Sequence, residues 1–536
     1  MGDANTSVDF LFVHVPKRSN YYKPLDDFMF INYIPMGLFA LCDLLNKRGI
    51  SSRIKHAGLE TILDENFSMA QWVKDRRVRI VGLSLQWHFQ AFDVIDLAQK
   101  IKKASPETAI LLGGFTASRF TREIMESFPE IDAIIAGDAE GGLPAFAQTV
   151  LQQTNDFTHV ANCTWRSGGE IIENGVTFSA QPADLEGLDF ANLSLLDHYE
   201  QYRDFFRLPM HWMNNADLEA NMKRKLGAAR LFPLAVGRGC AVNCTFCGGS
   251  RDAHWRLFHR EQPFFRPVES VVDSMQAALS YGYNGFLVSF DPTPGDDSYY
   301  LELMAEVRRR GLRCGINYEA WGLPGRDFID AFAQTFDLKS SYIALSPESG
   351  VEEIRRKNKG AFYSNQQLVE TLEYLQTRQV PAMIYLTMGL PGETITHIQQ
   401  TNVFARHLRK RFNDILAGII CLPIQIEPTS AIFEDPSCYG VRSNRASFMD
   451  FYRAHSDSHS GPYVYPGFAL DSINPDEKAF AEILLEERCN NYCFLSPTLF
   501  GRFHANFIGK FLCNRLHAGW QRQGHGKPAA ERKTFV

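Results

Sequence analysis

Gly237-Arg238-Gly239-Cys240-Ala241-Val242-Asn243-Cys244-Thr245-Phe246-Cys247-Gly248-Gly249-Ser250 is the stretch on which the reading of this chain turns. It sets Cys240, Cys244 and Cys247 within eight positions of a glycine-bounded loop. An apolar run at 232–236 precedes it, so the loop leaves the carboxyl end of a strand. Thiolates are the soft ligands that iron–sulfur clusters take, and a loop can wrap them round one cluster where a rigid strand cannot. A cubane has four irons, so ligands from three cysteines leave one iron open. A zinc site asks for a fourth Cys or His at matching spacing. His254 and His259 lie downstream, and three buried thiols are the other alternative, but the loop position favours the cluster.

Working outward, further strand candidates at 285–290, 315–318, 342–345, 382–388 and 417–423 alternate with helices, one of which opens on the capping box Ser364 and Gln367. Six βα units predict a partial parallel barrel of (β/α)6 type, with its active site at the strand carboxyl ends. Upstream, apolar runs at 8–15, 51–56, 79–85, 109–112 and 133–135 alternate with helical segments, the first of them at 36–48 and closed by Gly49. This is the pattern of an α/β, doubly wound parallel sheet, a Rossmann-like lobe that binds ligands beyond its strand ends. Residues 84–88, 113–116 and 137–140 fall on that edge. Residues 163–165 and 170–172, with a turn at 167–169, read as an edge hairpin, and 188–231 as a polar connector. The expected organisation is a first domain at 1–155, a connector at 156–230, the barrel at 231–436 and a mainly helical region at 437–536, with a polar tail from 521.

The 536 residues carry 55 Lys and Arg against 61 Asp and Glu, and 55 − 61 = −6, which argues against a nucleic-acid partner. No apolar stretch approaches the ~18 residues of a membrane span, and no export signal opens the chain, so the expected location is cytoplasmic. The 11 cysteines are then reduced, as core residues or metal ligands. Cys489 and Cys493, at i and i+4, read as core thiols rather than a metal pair.

With those residues in view, the Cys240, Cys244, Cys247 spacing, with Phe246 just before the last cysteine, resembles the radical S-adenosylmethionine superfamily. The rest of the barrel is similar too. Ser346-Pro347-Glu348-Ser349-Gly350, followed by Lys357-Asn358-Lys359-Gly360, looks like the fourth-strand segment, where the resemblance implies that Glu348 and Ser349 contact the ribose or methionyl part of the cofactor. Met388-Gly389-Leu390-Pro391-Gly392-Glu393-Thr394 resembles the fifth-strand turn of the cobalamin-carrying branch, which makes Gly389, Pro391 and Gly392 cofactor-binding candidates. Residues 426–430 and 433–436 resemble the sixth-strand exit. Where a Gly-Gly-Glu turn is usual, this chain has Ser289-Phe290-Asp291-Pro292-Thr293-Pro294, so Asp291 becomes the candidate for the methionyl amine, with a turn-forming role as its alternative.

The first domain resembles the cobalamin-binding domain that precedes many such barrels, on the strength of residues 35–38, Val81-Gly82-Leu83-Ser84, Leu112-Gly113-Gly114 and Gly137-Asp138-Ala139-Glu140. Ser84, Gly113, Gly114, Gly137 and Glu140 are its candidate contacts. The Asp-x-His-x-x-Gly signature for a lower cobalt ligand is absent. Instead Gln86-Trp87-His88 follows the third strand, with Trp87 expected to cover the lower corrin face and His88 as the rival ligand. His254, Trp255 and His259 either line the cofactor cavity or pack as loop. Tyr318, Glu319 and Trp321, at the end of the third barrel strand, are expected to point at the cavity and position substrate.

The resemblance implies a cobalamin-dependent radical S-adenosylmethionine methyltransferase with a [4Fe-4S] cluster, S-adenosylmethionine and cobalamin. It implies a small-molecule substrate, methylated at an unactivated carbon or phosphinate phosphorus, and an external one-electron reductant of flavodoxin or ferredoxin type. A cobalamin-dependent cyclase or ring-rearranging enzyme and a non-catalytic cobalamin or iron–sulfur sensor are the alternatives. A methylthiotransferase is disfavoured, because Cys42 is the single cysteine before residue 151.

Overall fold

The computed structural model describes residues 8–17, 32–205, 227, 229–456 and 468–472. Cys489, Cys493 and the tail from 521 lie outside them, as does most of the region after 456.

Near-continuous apolar runs make buried parallel strands, and the first lobe follows that rule. β1 (Phe10–His14), β2 (Ser52–His56), β3 (Ile80–Ser84), β4 (Ala109–Gly113) and β5 (Ala133–Ile135) are parallel, in the order β2-β1-β3-β4-β5. The predicted hairpin forms as β6 (Cys163–Ser167) and β7 (Glu170–Glu173), antiparallel and continuing the same sheet beyond β5. The order reverses between β1 and β3, which is where doubly wound sheets open a ligand crevice. Helices Gly37–Lys47 and Leu143–Leu151 pack together, as do Met69–Arg76 and Ala91–Ala104.

The second lobe is a six-stranded, all-parallel sheet. Its strands are β8 (Leu231–Pro233), β11 (Gly285–Val288), β12 (Gly315–Ala320), β13 (Tyr342–Glu348), β14 (Ala382–Met388) and β15 (Leu416–Pro423), in sequential order from β8 to β15. β9 (Gly237–Arg238) and β10 (Phe264–Phe265) form a small antiparallel pair beside it. The first predicted strand therefore splits, ending at Pro233 and resuming as β9 just before the cysteines. The capping box is present: the Ser364 hydroxyl accepts from Gln367 N at 3.1 Å and Ser364 N donates to the Gln367 side chain at 2.8 Å. β16 (Val441–Ser443) and β17 (Phe468–Leu470) pair antiparallel, so the described part of the last region is not all helix.

The two lobes share one apolar core. The connector contributes Leu185 and Phe190, which pack with Ala40 of the first lobe and Ala235 of the second. After the barrel the chain returns to the first lobe. Helix Phe448–Ser456 sets Phe448 and Phe451 against Phe120, and Tyr452 against Phe128 and Phe92.

Candidate functional site

The cysteine loop is stitched to the mouth of the barrel from several sides. Ala241 N donates to Pro292 O at 2.9 Å, Thr245 N to Asn358 O at 2.9 Å, and Ile432 N to Thr245 O at 3.1 Å. The Thr245 hydroxyl meets the Asn358 side chain at 2.8 Å, and that side chain in turn donates to Pro391 O at 3.0 Å. The Thr429 hydroxyl donates to Gly248 O at 2.7 Å, and a Cβ on Gly248 would stand 2.7 Å from Pro428 O. The ends of β11, β13, β14 and β15 thus converge on one loop.

The thiols occupy an environment that suits a cluster. Gly360 N donates to Cys244 Sγ at 3.2 Å and Gly249 N to Cys247 Sγ at 3.4 Å, the kind of N–H···S bond that orients and tunes cluster ligands. Burial pushes the Cys240 thiol up to about 11 and Cys247 up to about 12, and raises Cys244. The buried ammonium of Lys359 opposes this at Cys240 and Cys244. The three sulfurs also feel one another's charge. Because the ligating form is the thiolate, loading a cluster displaces protons that burial otherwise holds in place. Among the described residues no three His, Cys, Asp or Glu converge tightly enough for a single metal ion.

Around this loop lie two of the predicted carboxylates. Glu348, at the tip of β13, has φ of +62°, a conformation that a non-glycine residue adopts only under constraint. Its carboxyl is raised by burial against the pull of Lys359 Nζ at 3.5 Å. The constraint comes from Arg355, fully buried, which donates to Pro347 O at 3.0 Å, Ser349 O at 2.6 Å and Tyr363 O at 2.7 Å. Ser349 turns away from the mouth: its hydroxyl meets Thr401 at 3.1 Å and accepts from Val351 N at 3.1 Å. Asp291 accepts from Trp321 N at 2.6 Å and Gly322 N at 3.0 Å, so one of its oxygens builds the turn after β12. Gly389 N donates at 2.7 Å to Glu393, and a Cβ on Gly392 would meet Lys357 Nζ at 2.8 Å.

Tyr318 and Glu319 are parted by the pleat. Tyr318 faces outward onto Tyr300 and Phe328 of the helix layer, correcting the expectation that it points at the cavity, because consecutive residues of a strand face opposite sides. Glu319 faces the lumen, where its carboxyl accepts from the Ser289 hydroxyl.

The first lobe meets the loop through charge. Arg238, two residues before Cys240, donates to Asp138 at 2.7 Å and to Glu140 at 3.1 Å. Arg260 donates to the other oxygen of Asp138 and to Ala180 O at 2.9 Å. Burial pushes the Glu140 carboxyl up, but Arg238 more than offsets this and holds it below the usual carboxylate range. Gly137, at φ +77°, gives room to the helix Arg251–Phe258, since a Cβ there would stand 3.0 Å from the Phe258 ring. Gly114, at φ +107°, passes the Leu85 carbonyl, 2.7 Å from where its Cβ would be. The structure thus uses Gly137 and Glu140 in docking the lobes. Gly113 and Ser84 are register neighbours at the ends of β4 and β3. Trp87 is 37% exposed, whereas His88 is buried, with Nδ1 3.0 Å from His455 Nε2 and Nε2 3.5 Å from Glu427 Oε1. His254 packs edge-on against Phe115, and burial, with Arg260 and Arg238, lowers its imidazole to about 4. Trp255 is exposed and stands beside His259.

Residues 32–147 match the family described as B12 binding domain, and residues 234–405 match the Radical SAM superfamily. The chain carries a B12-binding domain and a radical SAM domain. The first implies cobalamin, and the second a [4Fe-4S] cluster and S-adenosylmethionine. The chain is 26% identical over 291 residues to the hopanoid C-3 methylase of Methylococcus capsulatus, covering 53% of this chain and 47% of that protein. It is 23% identical over 354 residues to the ribosomal protein uS12 methylthiotransferase RimO of Kineococcus radiotolerans, covering 62% and 64%. It therefore spans less than two thirds of either relative. Among solved structures, the radical S-adenosylmethionine methyltransferase TsrM of Kitasatospora setae, with cobalamin and [4Fe-4S] cluster bound, superposes with a TM-score of 0.60 at 15% identity over 83% of this chain and 85% of that one. The cobalamin-dependent enzyme OxsB gives 0.52 at 12% identity over 84% and 55%. At these identities the likeness is one of fold, and both lobes share it.

Sequence reasoning singled out Cys240, Cys244 and Cys247, which lie within the radical SAM match, but gave no role to Arg238, Arg260, Arg355 and Lys359. The basic residues near Cys247 and Glu348 were visible as charges, but nothing local to them tells which acid or carbonyl they reach.

Proposed function

We propose that the chain is a cobalamin-dependent radical S-adenosylmethionine methyltransferase acting on a small molecule. The observation that carries this is the joining of the two lobes: Arg238, next to the thiol loop, is clamped by Asp138 and Glu140 at the strand-end edge of the B12-binding domain. The barrel mouth and the corrinoid edge are thereby held side by side, as transfer between two cofactors requires.

When bound, the cluster and corrinoid supply one-electron reduction and methyl carriage, chemistry beyond any side chain. The chain's own residues do the rest. Cys240, Cys244 and Cys247 hold the cluster, with Gly360 N and Gly249 N fixing two sulfurs. Glu348, poised by Arg355 and Lys359, and the free oxygen of Asp291 face the mouth as candidate partners for the polar groups of S-adenosylmethionine, as do the turns at Gly389, Pro391 and Gly392. Ser84, Trp87, Gly113 and Gly114 would line the corrinoid edge, beside which His88 is engaged by His455 and Glu427. Glu319 and Trp321 are positioning candidates for substrate. An external reductant of flavodoxin or ferredoxin type completes the set. Among the described residues no helix is long and apolar enough to cross a membrane. A methylthiotransferase is the weaker reading despite the RimO match: the described cysteines of the first lobe, Cys42 and Cys163, are both buried in its core.

The test is anaerobic reconstitution with iron, sulfide and cobalamin, followed by counting S-adenosylhomocysteine and 5′-deoxyadenosine per product. Both in step with a methylated product support the proposal; 5′-deoxyadenosine with no S-adenosylhomocysteine points to a cyclase, and neither product points to a sensor. In the Co(II) state, electron paramagnetic resonance is expected to show no nitrogen superhyperfine splitting, and its appearance would make His88 a ligand after all.

A further inference from the structure

Register stacks the lumen-facing side chains of the barrel into layers. Glu319 is level with Ala344, Ala344 with Met383, and Met383 with Gly418, while Ser289 follows Val288, the partner of Tyr318. The layer that contains Glu319 is otherwise small or flexible in its side chains, and it lies one residue short of the end of β12, directly beneath the mouth.

The Glu319 carboxyl accepts from the Ser289 hydroxyl, and register sets Tyr342, two residues before Ala344, and Tyr385, two residues after Met383, on the same face of the sheet. Among the described residues, no lysine, arginine or histidine is paired with it, and burial raises its carboxyl. A carboxyl enclosed with no partner cation is costly to ionise, whereas Tyr342, Tyr385 and an acid at one point of a lumen make a favourable seat for a positive charge.

We infer that Glu319, Tyr342 and Tyr385 form a subsite for a cationic nitrogen, so that the substrate is a small molecule carrying an amine. This rests on the reading of the barrel mouth as the reaction centre. The carboxylate of Glu319 balances the charge of an ammonium group bound there.

The experiment is calorimetric titration of the reconstituted holoenzyme at neutral pH with phenethylammonium, 3-phenylpropionate and 2-phenylethanol. Phenethylammonium is expected to bind about tenfold or more tightly than the other two. Glu319→Gln is expected to lose the preference, and Tyr385→Phe to weaken amine binding. The inference is overturned if the alcohol or the carboxylate binds as well as the amine, or if Glu319→Gln retains amine preference. Reductive cleavage of S-adenosylmethionine by the same preparation reads the parent proposal separately. Cleavage without amine preference removes the subsite alone, and amine preference without cleavage removes the methyltransferase reading alone.

Discussion

Glu393 is sealed from water behind the fifth barrel strand, and among the described residues two amides hold its charge: Gly389 N at 2.7 Å and Leu390 N at 3.3 Å. Burial outweighs them and pushes the carboxyl from 4.5 up to about 7. Between those values the folded chain keeps a proton that the unfolded chain has lost, so stability falls as pH rises across that window and levels off above it. Across that window the loss amounts to about 3 kcal/mol. Glu393→Gln is expected to flatten this slope, read as denaturant midpoints at about pH 5 and about pH 8. The Gly-Leu-Pro-Gly-Glu turn was legible as a motif, but its acid's enclosure was not, since burial is set by what packs over the turn. Tyr318 and Glu319 carry a different lesson. Period-two alternation alone forbids both from facing one lumen, and the sequence expectation overlooked it. Gly137 could equally have served a ligand or a neighbouring helix, and the ring that fills the space, Phe258, lies far along the chain.

At the scale of elements, strands were the most legible feature because buried parallel strands are written as apolar runs: 133–135 and 382–388 match β5 and β14 residue for residue. The tip of β13 was not, since its last residues are Ser346, Pro347 and Glu348, and Arg355, bonded to Pro347 O, fixes that tip where β propensity does not. Helix Phe448–Ser456 shows how an amphipathic face finds its partner. Phe448, Phe451 and His455 recur at i, i+3 and i+7 and are all buried, while Phe448 N donates to Glu123 at 2.7 Å and Lys17 Nζ to His455 O at 3.0 Å. Phe451→Ala leaves a ring-sized void and is expected to cost ~3–5 kcal/mol. Faster amide exchange in residues 448–456, with the barrel strands still protected, is the signature that confirms it; uniform loss of protection would show that the helix does not open by itself.

At the scale of the molecule, four charged groups meet at the lobe junction: Arg260, Asp138 and Glu140 are almost fully withdrawn from water, and Arg238 is partly so. Removing one partner of such a set strands the others, typically at ~3–5 kcal/mol. Glu140→Ala is therefore expected to loosen the lobes and expose the connector to protease. It should also lower retention of reconstituted iron, because Arg238 anchors the strand that leads into the thiols. Unchanged iron and unchanged proteolysis would show that the apolar core joins the lobes unaided. None of these pairings was readable beforehand, since each joins residues about a hundred positions apart.

The return of helix Phe448–Ser456 to the first lobe also sets an order of assembly. A ribosome delivers the B12-binding domain first, yet the rings of Phe120 and Phe128 stay bare until the barrel has been synthesised and this late segment emerges. Completion of the amino-terminal half thus waits on the far end of the message, and a nascent chain halted before residue 448 displays an apolar face to whatever chaperone attends it.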